Sequence, residues 1–178
     1  MRFNSITHRR LSLAIVLFSW GSVAVALFTQ HVLDMQPCPW CIAQRILYLL
    51  AGALALLGCV PSGQGGGGRA LALLFNQLVG LTAASALCVA LYQNFVAAAD
   101  GACMVTAADK FLMASGLSDW LPEVFEPRAN CAEANVGMLG VPYSLWSAAL
   151  AMLLMAINGL DFVRLLRGST TRSAQQHG

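Results

Sequence analysis

Cys38-Pro39-Trp40-Cys41-Ile42-Ala43-Gln44-Arg45-Ile46-Leu47-Tyr48-Leu49-Leu50-Ala51-Gly52-Ala53-Leu54-Ala55-Leu56-Leu57-Gly58-Cys59-Val60 opens with two cysteines in a C-x-x-C pair. From Ile42 to Val60 it then runs apolar, interrupted by Gln44 and Arg45 at its start. Such a run is near the roughly 20 residues that cross about 30 Å of hydrocarbon at about 1.5 Å per residue. Three other stretches match it: Leu11–Phe28, Ala70–Tyr92 and Ser144–Leu160. Backbone in lipid has no water to bond to, so each must close its hydrogen bonds within itself as a helix. The expected fold is therefore all-α: one integral membrane domain over residues 1–178, a four-helix transmembrane bundle with helices at about 11–28, 42–60, 70–92 and 144–163. Composition agrees. Of the 178 residues 58% are hydrophobic and 10% charged, against about 25% charge in a soluble domain. Buried helices of a soluble protein are the alternative, but little amphipathic sequence remains to cover them. The net charge of +2 and the absence of a basic stripe with interleaved aromatics argue against nucleic acid.

Arg9 and Arg10 before the first stretch resemble the start of a signal peptide. The stretch outruns the roughly 7–15 residues of such a peptide's apolar core, and Phe28-Thr29-Gln30-His31 is a poor cleavage site, so a retained helix is expected. Four crossings put both termini on one side. That side would carry Arg2, Arg9, Arg10, Arg69, Arg164, Arg167 and Arg172, and the other Lys110 and Arg128, with Arg45 at a helix mouth. Basic residues favour the cytoplasm, so the termini are expected there. The loops at about 29–41 and 93–143 then face the periplasm of a bacterial inner membrane. Pro61–Arg69 is glycine-rich but lacks the Lys-Ser/Thr of a phosphate loop, and reads as a flexible linker. Gly168–Gly178 reads as a frayed tail. In the long loop, Lys110–Met113 and Trp120–Phe125 are apolar clusters with charged edges, suited to a short interfacial helix or a packed cap on the bundle.

This topology sorts the six cysteines. Cys59 and Cys88 fall inside membrane helices, near opposite ends, and read as small buried hydrophobes. Cys38, Cys41, Cys103 and Cys131 fall on the outward side. Cys41 lies at a helix N-terminus with Arg45 one turn further on, two features that favour a thiolate. Arg45 could instead snorkel to the headgroups. Cys103 and Cys131 alone would suggest a structural disulfide. Beside a C-x-x-C pair they suggest disulfide relay through mixed disulfides.

The chain resembles the disulfide bond formation protein B family, DsbB, over nearly its whole length. The resemblance rests on Pro37-Cys38-Pro39-Trp40-Cys41 with Arg45, on Cys103, on Trp120–Phe125, on Cys131-Ala132-Glu133, and on Leu139-Gly140 with Trp146. It implies a quinone-dependent protein-disulfide oxidoreductase with catalytic Cys38, Cys41, Cys103 and Cys131. The partner implied is a DsbA-like periplasmic thiol oxidant, whose thiolate would attack a Cys103–Cys131 disulfide at Cys103. Cys131 would then open Cys38–Cys41, and Cys41 would pass electrons to ubiquinone or menaquinone from the membrane pool, with Arg45 at a quinone oxygen. Because DsbA lies near about −120 mV, an ordinary dithiol cannot reoxidise it, whereas a quinone can. The sequence departs from some family members, which carry a basic residue near the outer end of the third helix. Here that region reads Cys88-Val89-Ala90-Leu91-Tyr92-Gln93-Asn94, leaving Gln93 or Tyr92 as substitute donors and His31 of the short loop as a more distant one.

Three other readings stay open on residues alone, one of them a structural membrane protein with two inert disulfides. A cysteine-based membrane metal transporter or sensor would use the four outward thiols as ligands. Quinone-coupled oxidoreductases of the vitamin K epoxide reductase type also combine a helical bundle with C-x-x-C, but there the motif is expected late in the bundle. Four cysteines permit three complete pairings.

Overall fold

The computed structural model describes residues 2–59, 66–99, 107–135 and 137–176. Four long helices form the bundle: α1 (Arg2–Val32), α2 (Pro39–Cys59), α3 (Gly66–Tyr92) and α8 (Tyr143–Gln176). A π-helical turn, Gln93–Ala97, continues α3. Between it and α8 lie α4 (Ala107–Ser115), α5 (Leu117–Trp120), α6 (Pro122–Phe125) and α7 (Cys131–Ala134). A two-residue hairpin, β1 (Gly137–Met138) with β2 (Val141–Pro142), completes the connection. Segments Ile6–Val32, Pro39–Cys59, Gly67–Ala97 and Tyr143–Leu166 are long and apolar enough to cross a membrane. The four-helix membrane bundle expected from the sequence is the fold observed.

The helices outrun the apolar stretches. α1 starts at Arg2, and α8 continues to Gln176 through the segment expected to fray from Gly168. The helical ladder does not need apolar side chains, and no proline in either flank interrupts it. Hydropathy marks the hydrocarbon-spanning part of a helix and leaves its ends open. The first loop shrinks accordingly, and His31, expected in that loop, belongs to the last turn of α1.

Small residues set the helix spacing. The interior holds Ala55, Ala83, Ala86 and Ala151 among Ile15, Val23, Tyr48, Val79 and Leu154. Without a hydrophobic drive between helices in lipid, close van der Waals approach supplies the attraction. Gly52 leaves the space that the Trp20 indole fills, and Trp20 Nε1 donates to Leu49 O at 3.2 Å. Leu17, Leu81 and Phe95 are among the large apolar side chains facing outward, as lipid contact requires.

At the end of the bundle carrying the termini, one polar knot joins all four long helices. His8 of α1 meets Asp161 of α8 through Nδ1 at 2.8 Å and Gly58 O of α2 through Nε2 at 3.1 Å. Asn76 Nδ2 of α3 donates to Asp161 Oδ2 at 3.2 Å. His8, Asn76 and Asp161 are all buried, so removing one strands the others in a low-dielectric interior. Replacing Asp161 with Ala is therefore expected to cost about 3 kcal/mol or more. A thermal unfolding scan in detergent should show a clearly lowered midpoint, and an unchanged midpoint would remove the knot from the account.

Candidate functional site

The opposite end of the bundle holds the cysteines, and the first turn of α2 organises them. A helix start exposes backbone N–H groups that lack helical acceptors. Cys38 is the capping residue: its carbonyl accepts from Ile42 N–H at 3.0 Å, and its sulfur accepts from Cys41 N–H at 3.3 Å. Pro39 occupies the first helical position, where a missing N–H costs nothing. The C-x-x-C spacing thus puts Cys41 in the same turn, with its sulfur 3.0 Å from that of Cys38. Trp40 packs against Tyr92 of α3 with the rings tilted at 53° and their centres 4.9 Å apart, which fixes this turn against the bundle.

Cys131 reaches the same place from far along the chain. Pro37 O accepts from Arg128 N–H at 2.9 Å and Ala129 N–H at 3.2 Å, tying the loop to the residue before Cys38. Asn130 and Glu133 then form a reciprocal capping box, which starts α7 at Cys131. Asn135, just after α7, accepts from Ser144 N–H at 3.2 Å and Ser144 Oγ at 2.7 Å, fastening α7 to the start of α8. Leu139 and Gly140 both take positive φ in the turn of the β1–β2 hairpin, the backbone a two-residue hairpin turn favours. Trp146 Nε1 holds that hairpin through Met138 O at 3.1 Å.

Cys131 consequently packs against Cys38. The Cys38 thiol is pushed above its ordinary range, first by donating to Cys131, then by its bond to Cys41 and by burial. Cys131 is held below its ordinary range. The Cys38 donor is the main cause and Trp40 N–H a smaller one, with burial opposing both. Three sulfurs therefore stand in series, Cys131–Cys38–Cys41, with Cys131 the best nucleophile of the Cys38–Cys131 pair.

Cys41 also faces a different environment. It lines an apolar cavity of about 530 Å³ walled by α1, α2 and α8, with Arg45, Gln44, Tyr48, Gln93 and Ser147 among its polar groups. Arg45 is 6% exposed and does not reach the surface as a snorkelling side chain would. Its guanidinium donates to Gln30 Oε1 at 2.8 Å and Val124 O at 3.0 Å, with a longer contact to Ala26 O at 3.5 Å. All three acceptors are neutral, and no carboxylate lines the cavity among the described residues. The Val124 contact makes the cap part of the site. Under it, Phe125 and Leu112 bury against Ile42, while Phe111, Met113 and Trp120 stay exposed on its outer side. The loop clusters thus form a packed cap with an apolar outer surface.

Of the residues singled out in sequence, Cys38, Cys41, Cys131 and Arg45 converge here. Cys103 lies outside the described residues. His31 is half-exposed and bonds to Leu27 O and Glu123 rather than lining the cavity. Cys59 and Cys88 lie near opposite ends of the bundle and outside the thiol cluster, but neither is fully buried as expected: Cys59 is half-buried and Cys88 exposed on α3. Gln93 donates to Cys41 Sγ at 3.1 Å. The sequence named it only as one of two substitutes; Tyr92, the other, packs against Trp40 instead. Gln44 went unassigned, although a polar residue in an apolar stretch was a signal. Among the described residues, no three of His, Cys, Asp or Glu converge on a point where a metal ion would sit.

A helical membrane bundle with thiols in series at one helix mouth defines a membrane thiol–disulfide protein. The family model described as disulfide bond formation protein DsbB matches residues 8–160. Similar proteins include disulfide bond formation protein B of Ralstonia nicotianae, 31% identical over 78% of this chain and 84% of that one. The Chromobacterium violaceum protein of the same name is 33% identical over 81% and 86%, and that of Neisseria gonorrhoeae is 35% identical over 71% and 77%. The chain belongs to the DsbB family, and is a disulfide-bond-forming oxidoreductase of the membrane.

The Cys38 donor makes a direct prediction. In fully reduced protein, Cys131 should be alkylated by iodoacetamide at lower pH than an ordinary thiol. In Cys38→Ala its rate at pH 7 should fall by about fivefold. Peptide mass spectrometry follows each site separately, and an unchanged Cys131 rate would contradict the assigned donor.

Proposed function

We propose that the protein reoxidises a DsbA-like periplasmic dithiol oxidant and passes the electron pair to a membrane quinone, ubiquinone or menaquinone. One observation carries this reading: the three thiols stand in series, and Cys41 alone of them lines the apolar cavity. Exchange with a protein partner and exchange with a lipid-soluble acceptor thus have separate entrances. The distribution of basic residues supports cytoplasmic termini in a bacterial inner membrane, with the cysteine end in the periplasm. The outer side of the cap, with Phe111, Met113 and Trp120 exposed, suits the lipid headgroup region.

The cavity fits such an acceptor. Its volume lies in the range of about 300–1,000 Å³ typical of ligand sites, with apolar walls and a few polar groups. A buried cation with only neutral partners is costly, and Arg45 is in that position. An oxygen that gains negative charge is its natural complement. A bound quinone supplies the two-electron acceptor that a dithiol cannot. Arg45 would bind and orient it, and the apolar side chains of α1 and α8 would exclude water.

The protein's own steps are exchanges between sulfurs. The partner's thiolate attacks a Cys103–Cys131 disulfide at Cys103, and Cys131 leaves as thiolate. Cys131 then attacks Cys38. The Cys38–Cys131 bond forms, the Cys38–Cys41 bond breaks, and the electron pair departs on Cys41. Cys131 packs against Cys38, so the released thiolate already stands beside the sulfur it attacks.

Protein purified in detergent, mixed with reduced DsbA and quinone, should oxidise the partner catalytically and only while quinone is supplied. Cys41→Ser should abolish turnover, and unchanged turnover in that variant would overturn the proposal. Arg45→Met should raise the KM for quinone about tenfold, as expected for loss of a charged hydrogen bond; a KM unchanged by that substitution would remove Arg45 from the binding site.

A further inference from the structure

The third helix brings no charge to Cys41. It brings an amide instead, and that amide is held in one orientation. Gln93 is the first residue of the π-helical turn and is fully buried. π-Turns widen a helix by one residue and recur at functional sites. Gln93 Nε2 donates to Cys41 Sγ at 3.1 Å, and its Oε1 accepts from Gln44 Nε2. Gln44 is itself buried and lies between Cys41 and Arg45 on α2.

We propose that Gln93 is the hydrogen-bond donor that receives the developing charge on Cys41 when the Cys38–Cys41 disulfide opens, and that Gln44 is the positioning residue that keeps its N–H₂ group on the sulfur. Turning the Gln93 amide over would set its NH₂ against that of Gln44 and its carbonyl oxygen against the sulfur, so two repulsions oppose the reverse orientation. The step it serves is balanced. Cys131 thiolate bonds to Cys38, the Cys38–Cys41 bond breaks, and the pair resides on Cys41. A donor on the departing sulfur favours that breakage, since a better-stabilised thiolate leaves faster. Because the donor is neutral, it adds no second cation beside Arg45 in the cavity. Among the described residues, the other titratable groups around Cys41 are Cys38, Cys131, Arg45, Tyr48 and Tyr143.

The inference deepens the relay assigned above, but its test needs no quinone and no partner, so the two readings fail separately. Full-length protein is reduced in detergent, stripped of quinone, and alkylated with iodoacetamide from pH 5 to 9, with Cys41 and Cys131 followed by peptide mass spectrometry. In Gln93→Leu, alkylation of Cys41 at pH 7 should slow by about tenfold and its pH midpoint should rise, while Cys131 stays within about twofold of wild type. Gln93→Glu keeps the size but cannot donate when ionised, and should slow Cys41 likewise. Gln44→Glu tests orientation: its carboxylate accepts from Gln93 Nε2, turns the carbonyl oxygen onto the sulfur, and should slow Cys41 with residue 93 intact. Wild-type Cys41 profiles in both residue-93 variants would overturn the donor role, and a wild-type profile in Gln44→Glu would overturn the positioning role.

Discussion

The first turn of α2 has backbone N–H groups that no helical carbonyl can reach, and the Cys38 sulfur supplies an acceptor for one of them. Cys38 Sγ accepts from Cys41 N–H at 3.3 Å. Elsewhere a serine or aspartate would serve at such a cap. Here the atom that satisfies the helix start is a reactive sulfur, so the constraint that ends the loop also sets Cys38 beside Cys41. Pro39 helps by starting the helix without an N–H of its own. The two bonds from Arg128 and Ala129 to Pro37 O bring the distant loop to this turn.

The bilayer accounts for the division of the site into two sides. Lipid demands an apolar exterior and a closed hydrogen-bond ladder, which confines exchange with a water-soluble protein to a helix mouth. The apolar cavity meets the same mouth from within the bundle. Cys41 stands where the two regions meet. Arg45 has its charge in the apolar region and its hydrogen bonds to Gln30 of α1 and Val124 of the cap, so one buried cation links the cap, two helices and the cavity.

Much of this was legible in the chain because lipid solubility is a property of continuous sequence. Four long apolar stretches fix the number of membrane-crossing helices, and the positions of Cys38, Cys41 and Arg45 relative to the second stretch fix their place at its mouth. The helix ends were not legible, since residues 2–10 and 168–176 extend their helices without the apolar character that marks a span. Gln93 was visible as one of two donors, but the choice depended on the π-helical turn and on Tyr92 packing against Trp40, neither of which has a local sequence pattern. The approach of Cys131 to Cys38 could be given only as an implication of family resemblance, because it depends on Pro37 O and on the Asn130–Glu133 capping box. Gln44 passed as a mere interruption, since its partner lies on another helix.

The central claim is that Cys131 and Cys38 are adjacent and able to exchange. The most direct measurement uses the Cys41→Ser, Cys103→Ser double variant, in which Cys38 and Cys131 lose their other outward partners. After mild oxidation in detergent and non-reducing digestion, mass spectrometry should find the Cys38 and Cys131 peptides joined in nearly every molecule. Recovery of both as free thiols, under conditions that oxidise Cys38–Cys41 in the unsubstituted protein, would contradict the account.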